Sequence, residues 1–475
     1  MASEEFRKWA RAAVEWVATY LDGVAEYPVI PGVRPGEIRS RLPGAVPERG
    51  ECFGRIFDDF ERVILPGITH WNHPRFLGYF AVTGSAPGIL GELLAAALNV
   101  NAMVWKTSPA ATELEEHVLD WMRSLLGLPP VFAGVLLDTA SSSTMTALMG
   151  ARQRAHPEVR EEGLSRLPPM RVYTSEEAHF SVDRAAILLG LGSGGVVKIP
   201  VDRKRRMRPG PLETAVRADA REGRTPLAVV ATIGTTSTTS VDPVERIADV
   251  AARNGLWLHV DAAYAGPAAL LPEKREYFRG WERADSIVVN PHKWLFTPLD
   301  CSILLMRSPQ EVRAASALTS EYLKTAEGEG TNLMEYGIPL GRRFRALKLW
   351  FVLRYFGAAG LRARLREHIR VAEAFAGWVD HAPRWERLAP VPFSTVAFRC
   401  APPGTSASAL DRLNLEILER IHRSGEALLS HTRIGGSVAL RLAVGNLRTT
   451  REDVRRVWGC LRSAAEAAAR EASSS

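Results

Sequence analysis

The sequence has little cysteine, no long apolar run and no block of like charge, and each shortage excludes a class of protein. Its four cysteines, Cys52, Cys301, Cys400 and Cys460, form no Cys-x-x-Cys pair, so neither a disulfide framework nor a metal site is predicted. Nowhere do 18 apolar residues occur in succession, which argues against a membrane partner, and the acidic N-terminus has no apolar signal segment. We therefore expect a cytoplasmic location.

Charge is also spread along the chain. Sixty basic and 53 acidic residues give a formal net charge of +7, and the excess is mostly scattered arginine. Because nucleic-acid-binding arms concentrate basic residues in runs, no nucleic-acid partner is expected. With 475 residues, 46% of them hydrophobic, the chain can form a large α/β domain with smaller additions.

Between Gly88 and Gly360 the sequence alternates helical periodicity with short apolar runs. Because these runs are β-branched and bounded by Gly, Pro or Asp, they are typical of buried strands. The connecting helices predict a mainly parallel seven-stranded sheet flanked by helices, with ligands at the carboxyl ends of its strands. The seven runs begin at Gly134, Arg171, Val196, Leu227, Leu256, Ser286 and Cys301.

The two ends of the chain have a different pattern. Apolar residues from Phe6 to Leu21 follow helical spacing, and a Pro/Gly-rich extended connector follows Tyr27. Beyond Gly360 a long helix leads into mixed patterns, and the low-complexity residues from Ala464 onward are expected to fray. The predicted parts are an N-terminal helical and extended dimer-packing segment (1–87), a large α/β domain (88–360) and a small C-terminal α+β domain (361–475).

Two of the predicted strand ends carry residues suited to one chemistry. The run at Ser286 delivers Asn290, His292 and Lys293, and a lysine in apolar surroundings has a lowered pKa that favours a Schiff base. Asp261 ends the preceding run, where a buried carboxylate would keep the ring nitrogen of pyridoxal phosphate (PLP) protonated. Taken singly, Lys293 could be a surface lysine and Asp261 a helix cap.

A phosphate needs converging backbone N–H groups, and the small-residue turn Thr139–Thr144, directly before a helical pattern, offers them. His179 follows another predicted strand and could stack on a cofactor ring. Alone, the turn is only a good helix cap, and a single histidine is more often structural.

Taken together, the chain resembles the group II PLP-dependent decarboxylases, and most nearly the aromatic-L-amino-acid decarboxylases, from about Phe6 to Trp458. The resemblance implies the aspartate-aminotransferase-like fold (PLP fold type I) and a homodimer with active sites at the subunit interface. It rests on five ordered segments: His70-Trp-Asn-His-Pro-Arg-Phe, Trp105-Lys-Thr-Ser-Pro-Ala-Ala-Thr-Glu-Leu-Glu, Asp261-Ala-Ala-Tyr-Ala-Gly, Asn290-Pro-His-Lys-Trp and Ile338-Pro-Leu-Gly-Arg-Arg-Phe-Arg.

The same resemblance implies roles for individual residues and no metal. Lys293 would bind PLP, Asp261 would pair with its ring nitrogen, Ala263 would lie under the ring and His179 would stack on it. The phosphate side would be lined by Ala140, Ser141, Thr236, Asn290 and His292. The substrate would be bordered by Trp71, Tyr79 and Phe80, with Asn101 and Met103 reaching in from the other subunit.

In three places the sequence departs from the family pattern. Tyr79-Phe-Ala-Val-Thr83 replaces a Tyr-Phe-Pro-Thr run, so the hydroxyl for the substrate carboxylate comes from Thr83 or is missing. Met103 stands where an aromatic residue is usual, and Asp138 replaces a glycine beside the phosphate turn. These departures concern the substrate and the phosphate, and they leave the expected cofactor unchanged.

The segment Thr325–Gly337 contains three glycines and predicts a mobile lid. In the family this loop carries a tyrosine that protonates the substrate α-carbon after CO₂ leaves, and a phenylalanine there leads to an aldehyde instead. Counting back from Ile338 without a gap puts Leu333 at that position, whereas a shortened loop puts Tyr336 there. We favour Tyr336 because it follows an acidic residue, as in the family.

The predicted reaction is decarboxylation of an aromatic L-amino acid (tryptophan, phenylalanine, tyrosine or dopa) to the amine and CO₂. The apolar lining from Trp71, Phe80 and Met103 favours aromatic side chains. An aromatic aldehyde synthase and a decarboxylase for histidine or an acidic amino acid are the alternatives within the enzyme class. A PLP scaffold that binds without catalysis is the alternative outside it.

Overall fold

The computed structural model describes residues 1–318 and 330–474. The chain forms two compact units. The small unit comprises Met1–Ala81, Ala374–Leu388 and Ala397–Ser475, and the large unit comprises Val82–Glu373 and Ala389–Val396. The three-part division of the sequence into residues 1–87, 88–360 and 361–475 stays a prediction.

All seven predicted strands are present in one sheet of the large unit. They are β-branched and apolar, and β5, β6 and β7 are buried along their whole length. The strands are β1 (Ala133–Leu137), β2 (Met170–Ser175), β3 (Val196–Ile199), β4 (Thr225–Thr232), β5 (Trp257–Asp261), β6 (Ser286–Val289) and β7 (Ser302–Met306).

The sheet order is β1-β7-β6-β5-β4-β2-β3. β7 is antiparallel to both of its neighbours, and β6, β5, β4, β2 and β3 are parallel. The carboxyl ends of these five strands, and of β1, therefore share one edge of the sheet, because two antiparallel steps through β7 restore the direction. This edge is where a ligand site is expected.

Helices of the large unit precede, connect and follow these strands, and the connecting helices are those that the periodicity predicted. They are α4 (Ala86–Leu98), α5 (Pro109–Leu126), α6 (Ala140–Ala155), α7 (Val159–Glu162), α8 (Ser181–Leu188), α9 (Pro209–Arg221), α10 (Val244–Asn254), α11 (Pro291–Trp294) and α12 (Pro309–Ser316). Helix α13 (Arg345–Asp380) follows, and it contains one residue outside helical geometry, Gly357, at φ 60° and ψ 169°.

The small unit begins with α1 (Ser3–Gly23), α2 (Glu37–Arg41) and α3 (Phe53–Asp59). The N-terminal helix is confirmed, and the predicted extended connector contains the short helix α2. Later elements are β8 (Trp385–Arg387), β9 (Thr395–Cys400), α14 (Ala407–Ser424), β10 (Ser430–Ile434), β11 (Ser437–Ala443) and α15 (Arg451–Ser474), and the four strands form a second sheet in the order β10-β11-β9-β8.

Two details of the small unit bear on later points. The segment before Ala81 runs along the sheet, since the Leu77 N–H donates to the Leu428 carbonyl and the Leu77 carbonyl accepts from Ala443 N–H. The expected fraying from Ala464 is wrong, because α15 extends to Ser474. Ala464, Ala465 and Ala468 are buried, so alanine there provides a close-packing helix face.

None of the helices in the described ranges is both long and apolar enough to cross a membrane.

Candidate active site

Asp261 and Asn290 are joined at the carboxyl edge of the sheet by backbone contacts of Ala263. The Ala263 N–H donates to Asp261 Oδ1 over 3.0 Å, and the Ala263 carbonyl accepts from Asn290 N–H over 3.0 Å. Asp261 ends β5, Asn290 directly follows β6, and Asp261 pairs with Val288 in the sheet. Three of the predicted cofactor-binding residues are therefore fixed by main-chain geometry.

A chain of hydrogen bonds continues from Asn290 in both directions. Asn290 Oδ1 accepts from Ser302 Oγ over 2.7 Å, and Ser302 Oγ lies 2.8 Å from Ser143 Oγ in the first turn of α6. On the other side, Asn290 Nδ2 lies 3.3 Å from His292 Nε2, and His292 Nδ1 accepts from Cys301 N–H over 2.9 Å. The chain links the small-residue turn to the residue beside Lys293.

The predicted phosphate turn is the start of α6. Thr139 precedes the helix, its side chain makes no capping bond, and the first helical hydrogen bond runs from Ser143 N–H to the Thr139 carbonyl. The N–H groups of Ala140, Ser141 and Ser142 therefore have no acceptor within the helix, which is the arrangement that binds anions. The Asp138 carboxylate accepts from Thr139 N–H over 2.7 Å.

His179 lies between β2 and α8, where the fields of Asp261 and Lys293 both reach it. Burial lowers the pKa of His179, the Asp261 carboxylate opposes that shift, and the Lys293 ammonium adds to it. His179 Nδ1 accepts from Ser181 N–H over 3.1 Å, so the neutral ring carries its proton on Nε2. His179, Asp261 and Lys293 are therefore electrostatic neighbours.

Lys293 itself lies on the short helix α11, where its N–H donates to the Asn290 carbonyl over 3.0 Å. The next residue, Trp294, is fully buried. It stacks on Tyr264 with ring centroids 4.9 Å apart, and its Nε1 donates to His368 Nδ1 over 3.0 Å. The residue that follows Lys293 is thus fixed by packing and by a hydrogen bond.

The sequence interpretation missed His259, two residues before Asp261 on the same face of β5. Its Nδ1 lies 2.8 Å from Ser286 Oγ and its Nε2 lies 3.4 Å from Thr144 Oγ1. Full burial lowers the pKa of His259 to about 4, and the Asp261 carboxylate opposes this shift. The alternation His-Val-Asp in a strand was the available signal, because residues i and i+2 share a face.

Thr83 and Ser85 are fully buried, and among the described residues neither hydroxyl has a hydrogen-bond partner. The Ser85 N–H donates to the Phe296 carbonyl over 3.0 Å, three residues after Lys293. Two buried hydroxyls without a partner among the described residues are polar groups that a ligand could satisfy. Ser85 was not predicted, because nothing in the sequence distinguishes it from an ordinary helix cap.

Asn101 is exposed and Met103 half-buried in the single chain. Asn101 Oδ1 accepts from Arg342 N–H over 2.9 Å, and the Met103 carbonyl accepts from Met334 N–H over 3.0 Å. Arg342 is buried and also pairs with Glu115 over 2.6 Å. This segment is therefore hydrogen-bonded both to Met334, near the end of the predicted lid, and to Arg342, which follows the lid.

The predicted lid falls partly outside the described residues, since residues 319–329 are not among them. Leu333–Tyr336 form a 3₁₀ turn. Tyr336 packs against an apolar cluster that includes Val135, Leu137 and Met306, and burial raises its pKa. Both Leu333 and Tyr336 line a cavity of about 390 Å³ beside the start of β1.

The remaining predicted residues divide between the two units. Trp71, Tyr79 and Phe80 belong to the small unit, where the Trp71 and Tyr79 rings stack with centroids 5.9 Å apart. Thr236 is exposed in the turn after β4, beside the buried Thr235. No group of three or more potential metal ligands occurs in residues 1–318 or 330–474.

Residues 35–401 match the family model described as the pyridoxal-dependent decarboxylase conserved domain. The chain belongs to this family. The chain is 36% identical to phenylacetaldehyde synthase of Arabidopsis thaliana over 96% of its own length and 95% of the relative's. It superimposes on Oryza sativa TDC, solved with PLP and tryptamine, with a TM-score of 0.95, 35% identity and 98% coverage of both chains.

A second solved structure is that of Catharanthus roseus tryptophan decarboxylase in complex with L-tryptophan. The TM-score is 0.92 and the identity 36%, over 98% of this chain and 99% of that one. The predicted family and PLP fold type I are thereby confirmed. The enzyme is a PLP-dependent carboxy-lyase.

The described residues fit that cofactor. The start of α6 offers N–H groups for a phosphate, Asp261 a buried carboxylate for a ring nitrogen, and Lys293 a primary amine for an aldehyde. Ala263 adds only a methyl group, so a flat ring can approach. The donor set therefore matches the three polar functions of PLP.

Proposed function

We propose that this enzyme removes the carboxylate of an aromatic L-amino acid and releases the arylalkylamine and CO₂. The observation that carries the proposal is the meeting of Lys293, Asp261 and His179 at one edge of the sheet. Relatives named tryptophan decarboxylase and phenylacetaldehyde synthase support an aromatic substrate.

The proposed division of labour follows from the chemistry of each side chain. Lys293 would hold the cofactor through its amine, and Asn290, His292, Ala140, Ser141 and Thr236 would line its phosphate side. Asp261 would keep the ring nitrogen protonated, and the bound cofactor would then accept the electrons of the broken Cα–carboxylate bond. Ala263 and His179 would cover the two ring faces.

His179 suits a stacking role as a neutral ring. Its burial disfavours the imidazolium, and with the proton on Nε2 the ring can still donate one hydrogen bond. Thr83, with its orphan hydroxyl, would bind the substrate carboxylate. Trp71, Tyr79, Phe80, Asn101 and Met103 would border the substrate side chain.

Tyr336 would return a proton to the α-carbon, and this step separates the amine from the alternative product. A tyrosine hydroxyl is protonated at neutral pH in any case, and burial raises the pKa of Tyr336 further. If Leu333 occupied that position instead, the enzyme would be an aromatic aldehyde synthase, an outcome supported by the relative with that activity in its name.

We also propose a homodimer in the cytoplasm. Helix α4 exposes four leucines, Leu90, Leu93, Leu94 and Leu98, more than a solvated helix normally carries. Helix α1 buries none of its residues in the single chain, although Trp9 and Trp16 pack on α3 and the turn after it. All four cysteines are free thiols, which suits a reducing compartment.

The test is product analysis of the PLP-loaded protein with L-tryptophan, L-phenylalanine, L-tyrosine, L-dopa and L-histidine, scoring amine, aldehyde and peroxide together. Amine with CO₂ and little peroxide is expected. If aldehyde and peroxide are formed instead, the enzyme is an aromatic aldehyde synthase.

Lys293→Ala is the matched variant for this test. Because it removes the amine that holds the cofactor, we expect loss of the visible absorbance of the bound cofactor and of nearly all turnover. A variant that kept the visible spectrum of the parent enzyme would refute the assignment of Lys293.

A further inference from the structure

The small unit contains a cavity of about 570 Å³ between the end of α13, the turn that precedes β8, and α15. Small-molecule sites usually have volumes of about 300–1,000 Å³, so this one is large enough for a ligand with two fused rings. All of the lining residues belong to the small unit, whereas Lys293, Asp261 and His179 belong to the large unit. The lining includes three tryptophans and three arginines: Trp378, Trp385, Trp458, Arg384, Arg455 and Arg462.

The tryptophans form an apolar wall that is fixed from behind. The Trp385 and Trp458 rings meet edge to face with centroids 5.0 Å apart, and Trp458 meets the fully buried Phe375 in the same way at 5.6 Å. Trp458 is 8% exposed, whereas Trp378 and Trp385 are partly exposed. Because aromatic rings pair favourably in offset or edge-to-face arrangements, the two partly exposed rings offer a surface for a planar ligand.

The turn between α13 and β8 is closed by main-chain hydrogen bonds. The Trp385 N–H donates to the Ala382 carbonyl over 2.9 Å, and the Arg384 carbonyl accepts from Ala401 N–H over 2.7 Å. Trp385 also pairs with Cys400 in the second sheet. The wall is therefore formed by the fold itself, and a ligand would not have to order it.

Of the three lining arginines, two have an acidic partner. Arg384 lies 3.9 Å from Glu466, and Arg455 lies 2.7 Å from Glu452. Within residues 1–318 and 330–474, Arg462 makes no ion pair. One positive charge thus remains unbalanced beside the aromatic wall, and this balance matches an anion with a single charge better than a doubly charged phosphate.

We propose that this cavity is a binding site for a small aromatic molecule that carries one carboxylate. The planar ring lies against Trp378 and Trp385, and the carboxylate pairs with Arg462, whose planar guanidinium presents two N–H groups to two oxygens. An arylalkylamine is excluded from the site because its positive charge is repelled by the same side chain. The proposal does not rest on the proposed function, since none of these residues takes part in that reaction.

The experiment measures binding of indole-3-acetate to the PLP-loaded protein by isothermal titration calorimetry. Indole-3-acetamide has the same ring without the charge, and acetate has the charge without the ring. Arg462→Gln, Arg462→Lys and Trp378→Leu change the site. Arg456→Gln is the control, because Arg456 lies on the same helix and its loss removes the same charge, but it pairs with Glu426 and does not line the cavity.

We expect Arg462→Gln to weaken the binding of indole-3-acetate by about tenfold, because it removes a charge-assisted pair of hydrogen bonds. Arg456→Gln should bind like the parent. Arg462→Lys keeps the charge without the planar pair of donors, so it should recover part of the loss. Trp378→Leu should weaken indole-3-acetate and indole-3-acetamide by the same factor, because both lose the same ring contact.

Three results would overturn the inference. Binding that Arg462→Gln leaves unchanged would mean that indole-3-acetate occupies another site. Equal affinities for indole-3-acetate and indole-3-acetamide would mean that the charge is not recognised, and equal affinities for indole-3-acetate and acetate would mean that the ring is not. No heat of binding at millimolar indole-3-acetate would refute the site outright. Arg462 is exposed, so its variants should fold, and circular dichroism checks this.

Discussion

At the scale of single residues, the sequence identified the charged side chains of the site and missed the uncharged side chains that hydrogen-bond around them. Asp261 and Lys293 were found because a carboxylate and an amine at strand ends are chemically conspicuous. Ser302, which connects the predicted turn through Ser143 to Asn290, was not found. Serines are common in any sequence, and the role of these two is visible only in the folded chain, where they form consecutive hydrogen bonds.

His259 gives a prediction about stability and pH. Its folded pKa of about 4 lies below the ordinary value of about 6.5, so the unfolded chain binds a proton that the folded chain refuses. The neutral His259 ring therefore makes its full contribution to the free energy of unfolding above pH 6.5, and this contribution is lost as the pH falls towards 4. For this fully buried group the loss is about 3 kcal/mol.

Replacing His259 by Gln should remove that contribution. We expect the free energy of unfolding, measured with urea, to fall more steeply between pH 6.5 and 4 in the parent than in the variant. The variant should be less stable at pH 7, because Gln packs differently between Ser286 and Thr144. Parallel pH curves for the two proteins would show that His259 does not titrate in this window.

At the scale of elements, helix α13 shows what periodicity alone does not reveal. The sequence predicted a long helix after Gly360, and Arg345–Asp380 consists of two helices that meet at Gly357, the second of which is the predicted one. Gly357 has φ 60° and ψ 169°, a conformation essentially restricted to glycine. An isolated glycine in a helical pattern is normally only a weak point, so the break could not be predicted.

Gly357→Ala should therefore destabilise the protein by about 1–3 kcal/mol, because alanine cannot adopt this conformation without strain. Gly360→Ala is the control in the same helix. A Cβ there would meet only ordinary contacts, the nearest 3.5 Å away on the flexible Arg364 side chain, and should cost nothing or stabilise the helix. Equal midpoints of urea unfolding for both variants would contradict the prediction.

The 3₁₀ turn Leu333–Tyr336 gives a second prediction for an element. Tyr336→Phe should lower the amine yield and raise aldehyde and peroxide, because the phenol hydroxyl is the proposed proton source for the α-carbon. Leu333→Ala is the control, since leucine has no proton to give. The amine and aldehyde are measured by chromatography, and the peroxide by a separate assay. An unchanged amine yield in Tyr336→Phe would mean that another group protonates the α-carbon.

At the scale of the whole molecule, α4 exposes four leucines in the single chain, and within residues 1–318 and 330–474 α1 buries none of its own residues. If Asn101 and Met103 reach the partner's site, each active site needs two chains. The sequence indicated this through the family resemblance, and the exposed Asn101 supports it. The dimer can be tested without a structure of the assembly.

Mixing two inactive variants provides that test. Lys293→Ala lacks the cofactor amine, and Met103→Arg places a charge where the substrate would lie. After unfolding and refolding together, a mixed dimer would contain one intact site only if Met103 acts across the interface, and random pairing would restore about a quarter of the parent activity. Recovery no greater than the sum of the separate variants would mean that Met103 acts within its own chain.

What the sequence determined by itself was the set of elements and the reacting groups. Seven β-branched runs became seven strands because buried strands need apolar residues on both faces. Asp261 and Lys293 come at or shortly after the ends of β5 and β6. Because these strands are parallel, their carboxyl ends lie on the same edge of the sheet. These are consequences of local pattern, so sequence was sufficient.

What only the tertiary structure decided was how the reacting groups are held. The hydrogen-bond chain through Ser143, Ser302 and Asn290 joins residues more than 100 positions apart, and Arg441 reaches Tyr79 from 362 residues away. Thr83 and Ser85 have buried hydroxyls without a partner among the described residues, and the local sequence does not predict that burial. Packing places these groups together, and packing depends on the whole chain at once.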